Sequence, residues 1–461
     1  MPSFPAPPIA AAQPTTAVAV LGAGLVAQTC CLALAQSGIG RVLWLPQAVP
    51  PQPTPATVVP GPADTPEADY DARVFALNGA SRRLLRKLRV WDALERLQPV
   101  AQMRVADAAG TRPLVFDALR HAAAGDEALA WIVEARVLRR ALEQALAFQP
   151  AIERLDVGIA AIDPFDAQGA RLQRADGGTL AVDLALLAEL PPALALGDAW
   201  LGFAEHDYGC RALVGTVACA RAHAGIAHQW FERDVPAVPG VLALLPLPAA
   251  DGSGGGNFVS IVWSTPRAEQ LAALDDAALG AALERASGGA LGALRPLGAR
   301  VLWPLKRRAA ARWFDGALLA VGDAVHGVHP LAGQGLNLGL QDAEALAATL
   351  AAREPFRALA DARLLRRFVR ARARQVTQMV QLTDGVWRSH ALGSPPWTWL
   401  GGGEAPAAGA AGATASAGSA APWRRLAGLA LALVERSDPL KRWLAAQAHG
   451  PRADAVARRA P

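Results

Sequence analysis

Cysteine is scarce in this chain: Cys30, Cys31, Cys210 and Cys219 are the four in 461 residues. None forms a CxxC pair and none has metal-site spacing, which excludes a disulfide-built scaffold and makes a reduced, cytoplasmic setting the expectation. Charged residues make up only 18% against 52% hydrophobic, which excludes a disordered chain, although much of the apolar count is alanine. No apolar run approaches the ~20 residues of a membrane span. Residues 1–16 are rich in Pro and Ala and lack a basic start followed by an apolar core, so they read as a disordered tail and not as a secretory signal. The net charge of +5 comes mainly from arginines spread along the chain, with no aromatic-interleaved basic motif, and nucleic acid is therefore not an expected partner.

What the chain does carry is concentrated in one run, Val321-Gly322-Asp323-Ala324-Val325-His326-Gly327-Val328-His329-Pro330-Leu331-Ala332-Gly333-Gln334-Gly335-Leu336-Asn337-Leu338-Gly339-Leu340-Gln341-Asp342. The apolar stretch 317–321 has strand length. Leu336, Leu340, Ala343, Ala347 and Leu350 recur at helical spacing, so a strand feeds a helix through a Pro/Gly loop. Gly333 and Gly335 let backbone approach a ligand, and the helix start offers unpaired N–H groups and partial positive charge to an electron-rich ring edge. Near the N-terminus, an apolar strand over 17–21 is followed by Gly22-Ala23-Gly24-Leu25-Val26-Ala27, a helix over 28–36, Gly38 and a second strand over 41–45. This spacing predicts a βαβ dinucleotide fold with Ala27 at the third glycine position.

The Gly322 to Asp342 run resembles the GDAxHxxxPxxGQGxNxGxxD motif of class A flavoprotein monooxygenases, and especially the flavin hydroxylases of ubiquinone biosynthesis. Asp71-Ala72-Arg73-Val74-Phe75-Ala76-Leu77 is similar to their DxRxxAL segment, and the strands from Tyr208 to Trp263 are similar to their substrate domain. The resemblance extends from residue 17 to about residue 384.

It implies an α/β fold: a Rossmann-like FAD-binding domain with an interleaved, mostly antiparallel β-sheet substrate domain and a helical C-terminal region. The expected division is FAD-binding parts at 17–100, 131–200 and 309–350, substrate-domain strands at 101–130 and 201–308, and a helical region at 351–461 with a flexible insert at 401–421. For FAD, the resemblance implies that Gly22, Gly24 and Ala27 hold the nucleotide and that Arg73 lies near the flavin. It places Gly322 and Asp323 at the ribityl chain, and Pro330, Gly333, Gln334, Gly335, Leu336 and Asn337 along the reacting ring. His326 and His329 read as loop-ordering residues, with a proton shuttle as the alternative. The implied partners are a prenylated aromatic molecule, dioxygen, NAD(P)H or another electron donor, and other quinone-biosynthesis proteins. A dry pocket suits such chemistry, and no Ser/His/Asp triad, acid pair or metal cluster is required.

The chain departs from the family pattern twice. The second strand ends Leu43-Trp44-Leu45-Pro46-Gln47, without the carboxylate that accepts hydrogen bonds from the adenosine ribose. Where the family has GADGxxSxxR, this sequence reads Ala188-Glu189-Leu190-Pro191-Pro192-Ala193-Leu194. Two readings stay open: an FAD-dependent aromatic hydroxylase, and a non-catalytic paralogue serving as a structural or substrate-presenting subunit. Downstream, Arg363, Arg366, Arg367, Arg370, Arg372 and Arg374 are expected on the solvated face of a helix whose apolar side is Leu364, Leu365, Phe368, Val369, Val376, Met379 and Val380. Trp423, Leu426, Leu429, Leu433, Val434, Leu440 and Trp443, among basic residues, form an amphipathic segment expected to pack on its own domain, with peripheral contact at an inner membrane as the alternative.

Overall fold

The computed structural model describes residues 17–46, 57–59, 70–107, 113–122, 125–164, 169–189, 200–232, 240–249, 256–327, 334–391, 437 and 441. The chain opens with β1 (Ala17–Leu21), α1 (Leu25–Gln36) and β2 (Arg41–Leu45), and the two strands run parallel with Leu21 opposite Leu45. The helix begins directly after Gly24, three residues earlier than the spacing predicts, and Leu25 through Leu34 are all buried. Two further helices are α2 (Gly79–Lys87), whose first turn is capped by the Asn78 side chain, and α3 (Ala135–Ala147).

The parallel sheet is completed by β3 (Leu184–Leu187), which lies beside β1 with Leu21 opposite Leu187. Its order is then fixed from the edge strand Phe314–Asp315 through the strand Leu318–Ala320, β3, β1 and β2 to Ile152–Arg154, all parallel except the edge. All residues of β1, of β3 and of Leu318–Ala320 are buried, as expected for parallel strands covered on both faces. Because β2 and β3 flank β1 on opposite sides, the strand order reverses at β1. The crevice beyond the carboxyl ends of β1 and β3 is where such sheets bind ligands.

The second sheet contains β4 (Phe203–Cys219), β5 (Ile226–Phe231), β6 (Val241–Leu247), β7 (Phe258–Thr265), β8 (Leu294–Ala310) and β9 (His326–Gly327). Its order is β9, β8, β4, β7, β6, β5, then Gln102–Asp107 and Leu114–Asp117, all antiparallel except β5 with Gln102–Asp107. β4 and β8 each run for 17 residues. Register shifts between Asp207 and Arg211 and between Val214 and Thr216 let the long pair bend without losing its pairing. Two helices that the pattern reading did not find, Ala268–Ala272 and Asp276–Ala286, cover one face, on Leu213, Val217, Leu244, Ile261 and Trp263.

The last described elements are α4 (Gln334–Ala351) and α5 (Ala362–Ala391). Leu364, Leu365, Phe368 and Val376 of α5 are buried, while Arg363, Arg366, Arg367, Arg370 and Arg374 are exposed. Arg372 corrects the expectation of a uniformly solvated basic face. It lies four residues from both Phe368 and Val376, so it projects from the buried stripe, at 2% exposure. The insert at 401–421 and the amphipathic segment from Trp423 to Trp443 fall outside the described residues, Ser437 and Lys441 apart. Among the described residues no helix is long and apolar enough to cross a membrane, and no cluster of His, Cys, Asp and Glu has the arrangement to hold a metal ion.

Candidate cofactor site

At the switch point, β1 runs into Gly22, whose φ of +132° is reserved for glycine, and then into the Gly24 N-cap of α1. No side chain caps this helix by hydrogen bond, and its first turn has no acidic residue. The anion that fills the role comes from the end of β3. The Glu189 Oε2 accepts the Ala23 N–H at 3.3 Å, and the Gly24 amide favours the charged form of the same carboxylate. A Cβ on Gly24 would collide with Glu189 Oε1, so the glycine is filled by a close-lying anion. Burial raises the Glu189 pKa and the charge of Asp323 adds to the rise, whereas the two amides and Arg139 oppose it. Here Glu189 stands in for a phosphate group at a helix N-terminus, the arrangement that binds dinucleotide pyrophosphates. By this test the loop fits the diphosphate of FAD.

The neighbouring end of β2, where the ribose-binding acid is missing, is closed by Trp44. Its Nε1–H donates to the Gly22 carbonyl at 2.9 Å, and the Arg154 guanidinium lies 5.1 Å from its ring centroid. The loop is thereby tied to the strand by an indole rather than offered a carboxylate.

The other end of the crevice is built around Asp342, which is fully buried on α4. Its Oδ2 accepts the Gly322 N–H at 2.9 Å and lies 2.7 Å from His326 Nε2, and its Oδ1 accepts the Arg372 Nε–H at 2.6 Å. Burial pushes the carboxyl pKa up, but Arg372 and His326 outweigh burial and hold it at about 2. Arg372 also donates to the Leu338 carbonyl at 3.1 Å. Gly322 has φ +59°, and a Cβ there would meet Val26 Cγ1 of α1 at 2.9 Å. A Cβ on Gly339 would meet Val26 Cγ2 at 2.5 Å, so the two glycines let α1, α4 and the Gly322 loop close on one another.

Asn337, also fully buried, ties α4 to the entrance of α2. Its Oδ1 accepts the Asn78 N–H at 3.0 Å and the Ser81 hydroxyl at 2.7 Å, and its Nδ2 donates to the Ala76 carbonyl at 2.8 Å. Gln334 Oε1 lies 3.5 Å from Asn78 Nδ2. Both side chains therefore brace the helix start, leaving its first-turn backbone N–H groups as the donors it can direct outward.

The second sheet joins this end directly. β9, two residues beyond Ala324, pairs with β8 so that Ala309 lies opposite His326 and Arg308 opposite Gly327. The sheet face away from the two covering helices carries Tyr208, Cys210, Ala212, Val214, Val262, Trp303 and Leu305. Arg73 lies over Phe75 at 5.0 Å and over Trp303 at 5.2 Å, which sets its charge between this apolar face and the strand leading to Asn78.

Of the residues singled out in the sequence, Gly22, Gly24 and Ala27 lie at the phosphate end, and Gly322, Gln334, Leu336 and Asn337 at the braced end; Asp323 is exposed between them. Gly335 is the second residue of α4, and Pro330 and Gly333 lie outside the described residues. Sequence reasoning missed Glu189, Trp44 and Arg372. Only Arg372 had a local signal, its spacing from Phe368 and Val376.

Residues 235–383 match the family described as an FAD binding domain. The chain is 35% identical over 359 residues to a ubiquinone hydroxylase, UbiL, of Rhodospirillum rubrum, which covers 76% of each chain. It is 32% identical over 339 residues to the 3-demethoxyubiquinol 3-hydroxylase of Escherichia coli, covering 72% of this chain and 79% of that one. Among solved structures it resembles Klebsiella pneumoniae HpxO, complexed with FAD and uric acid, with a TM-score of 0.62 at 18% identity, covering 93% of this chain and 97% of that one. A likeness at that identity concerns the fold alone.

Proposed function

The chain belongs to the FAD-dependent hydroxylases of ubiquinone biosynthesis, and from that premise we propose that it inserts one oxygen atom of dioxygen into the aromatic ring of a polyprenylated phenol or quinone precursor. The second oxygen atom leaves as water, with two electrons drawn from NAD(P)H or another donor. FAD, when bound, supplies the redox chemistry that activates dioxygen. Gly22, Gly24 and Ala27 would hold its nucleotide, Gly322 and Asp323 its ribityl chain, and Pro330, Gly333, Gln334, Gly335, Leu336 and Asn337 its ring, with Arg73 beside it.

One observation carries this reading: the loop that follows Gly322-Asp323-Ala324 is hydrogen-bonded into the sheet whose face away from the two covering helices is apolar. An aromatic ring with an apolar tail would rest on Ala212, Val214 and Leu305 and be kept from water beside the helix start. Trp303 and Arg73 would close its polar side. His326 holds no reacting group in this reading, because its Nε2 faces Asp342; it orders the loop. A substrate with a prenyl tail would also bring the protein to a membrane surface and to the other proteins of the same pathway.

The missing ribose acid and the missing GADG segment favour the second reading, a non-catalytic subunit of a quinone-synthesis assembly. The visible absorption spectrum of the purified chain, with the protein-to-flavin ratio after heat release, separates the two. Near-stoichiometric FAD followed by NAD(P)H oxidation with a prenylphenol, and a product one oxygen atom heavier, is the expected result. Protein that stays colourless when titrated with FAD overturns the hydroxylase.

A further inference from the structure

The phosphate end of the crevice is held by an anion of the chain itself. Glu189 arrives there because β3 neighbours β1, which brings it onto an amide 166 residues earlier in sequence. Among the described residues it has no cationic hydrogen-bond partner in that position, and the charge of Arg139 acts on it without a hydrogen bond. Its carboxylate accepts from the Ala23 amide, lies against Gly24 within the space a Cβ there would need, and shares the region with a second carboxylate, Asp323. A dinucleotide diphosphate requires the same amides and brings further negative charge to them. Both anions cannot sit there together, because two like charges in close contact in a partly desolvated crevice repel strongly.

We propose that Glu189 is an internal competitor for the phosphate subsite, so that dinucleotide uptake requires its side chain to leave Ala23 and Gly24, and that this residue sets how tightly the chain keeps its cofactor. The inference rests on the reading that this crevice takes FAD. Its magnitude follows from the fraction of time the subsite is free: a carboxylate docked for about nine-tenths of the time weakens apparent affinity about tenfold. Competition of this kind acts only on ligands that carry the diphosphate. The flavin end is untouched, because Asp342 is bonded to Arg372 and to the Gly322 amide, and Asn337 to the Asn78 amide, whether or not Glu189 moves.

The test is titration of full-length apoprotein with FAD, with ADP and with riboflavin, for the natural chain and for Glu189→Ala, Glu189→Gln and Glu189→Asp. Glu189→Ala and Glu189→Gln are expected to bind FAD and ADP about tenfold or more tightly and riboflavin unchanged. Glu189→Asp keeps the charge but is one methylene shorter, and should fall between. In the cofactor-free state, the peptide containing Ala23 and Gly24 should exchange its amide hydrogens faster in Glu189→Ala than in the natural chain. Equal or weaker FAD and ADP binding by the neutral variants overturns the competitor and makes Glu189 an ordinary part of the cradle. A gain shared equally by riboflavin overturns it as well. Failure of every variant and of the natural chain to bind FAD is a different result, because it removes the FAD reading together with this inference. Circular dichroism checks folding, and Glu189→Gln, nearly isosteric, carries the test if the alanine variant does not fold.

Discussion

The two ends of the crevice are built on opposite principles. At the ring end, Asp342, Arg372, His326 and Asn337 are each at most 2% exposed, and their bonds draw together α4, α5, the Gly322 loop and the approach to α2. At the phosphate end, Gly22, Ala23 and Gly24 lie against the Glu189 carboxylate, which is only partly buried. At the braced end Asp342, Arg372 and Asn337 already bond to protein, and His326 Nδ1 is left buried without a hydrogen-bond partner among the described residues. The other end is satisfied provisionally. A change at the first should therefore appear in folding stability, and a change at the second in what binds.

Asp342→Asn should have the largest effect. It leaves the Arg372 guanidinium buried without its counter-charge and weakens the hold on Gly322, a loss on the order of 3–5 kcal/mol in urea unfolding. The natural chain should also show an acid limb that this variant lacks. Asp342 is held at about 2, below its ordinary 3.8, so its contribution is fully present above about pH 4 and is lost as pH falls through about 2. Roughly 2 kcal/mol disappears over that window at about 1.4 kcal/mol per pH unit. Identical acid limbs in the two proteins would show that the ion pair contributes nothing of its own.

Asn337→Ala comes next. The Asn78 N–H and the Ala76 carbonyl would lose their partner inside the protein, at about 1–3 kcal/mol for each group that water does not reach. A total of about 3 kcal/mol is the expected drop, again by urea. A loss below about 1 kcal/mol would mean that water reaches the braced end and that the contrast between the two ends is shallow.

How much of this was legible depended on whether the signal lay within one segment. The run around Gly322 to Asp342 encodes a strand, a loop and a helix at fixed spacing, and both the strand Leu318–Ala320 and α4 stand where the pattern put them. Asn337 was legible as a motif member, yet its partners lie about 260 residues away, and only the fold brings Asn78 and Ala76 to it. Glu189 had no local signal at all, because its role follows from β3 lying beside β1. Arg372 was readable by strict helical counting, but the many arginines around it made charge seem the better guide. The helix Asp276–Ala286 was likewise marked by its cap Asp275 and by Leu279 and Leu283, and was obscured by the strands on either side.

Gly339→Ala probes the packing beneath the braced end. An alanine gains about 1 kcal/mol of helix propensity over glycine, but its Cβ would lie 2.5 Å from Val26 Cγ2, and overpacking costs about 1–3 kcal/mol. A net loss of about 1 kcal/mol is expected by thermal unfolding. Val26→Ala in the same chain should relieve the clash, giving a coupling of about 1 kcal/mol in the double-mutant cycle. Strict additivity would mean that α1 and α4 can separate freely.

The smallest stability effect belongs to the phosphate end. Trp44→Phe keeps a large aromatic ring beside Arg154 but removes the one indole N–H that reaches the Gly22 carbonyl. A single neutral hydrogen bond contributes about 1 kcal/mol, and the freed carbonyl lies on a loop whose neighbour Ala23 is exposed, so water should recover part of it. Urea unfolding should therefore move by less than 1 kcal/mol, with FAD affinity the more sensitive readout, because a Gly22 loop no longer tied to β2 presents its amides less rigidly. Should Trp44→Phe instead destabilise the chain as much as Asn337→Ala, the phosphate end would be as firmly braced as the ring end, and an anion would be filling a rigid socket rather than closing a loose one.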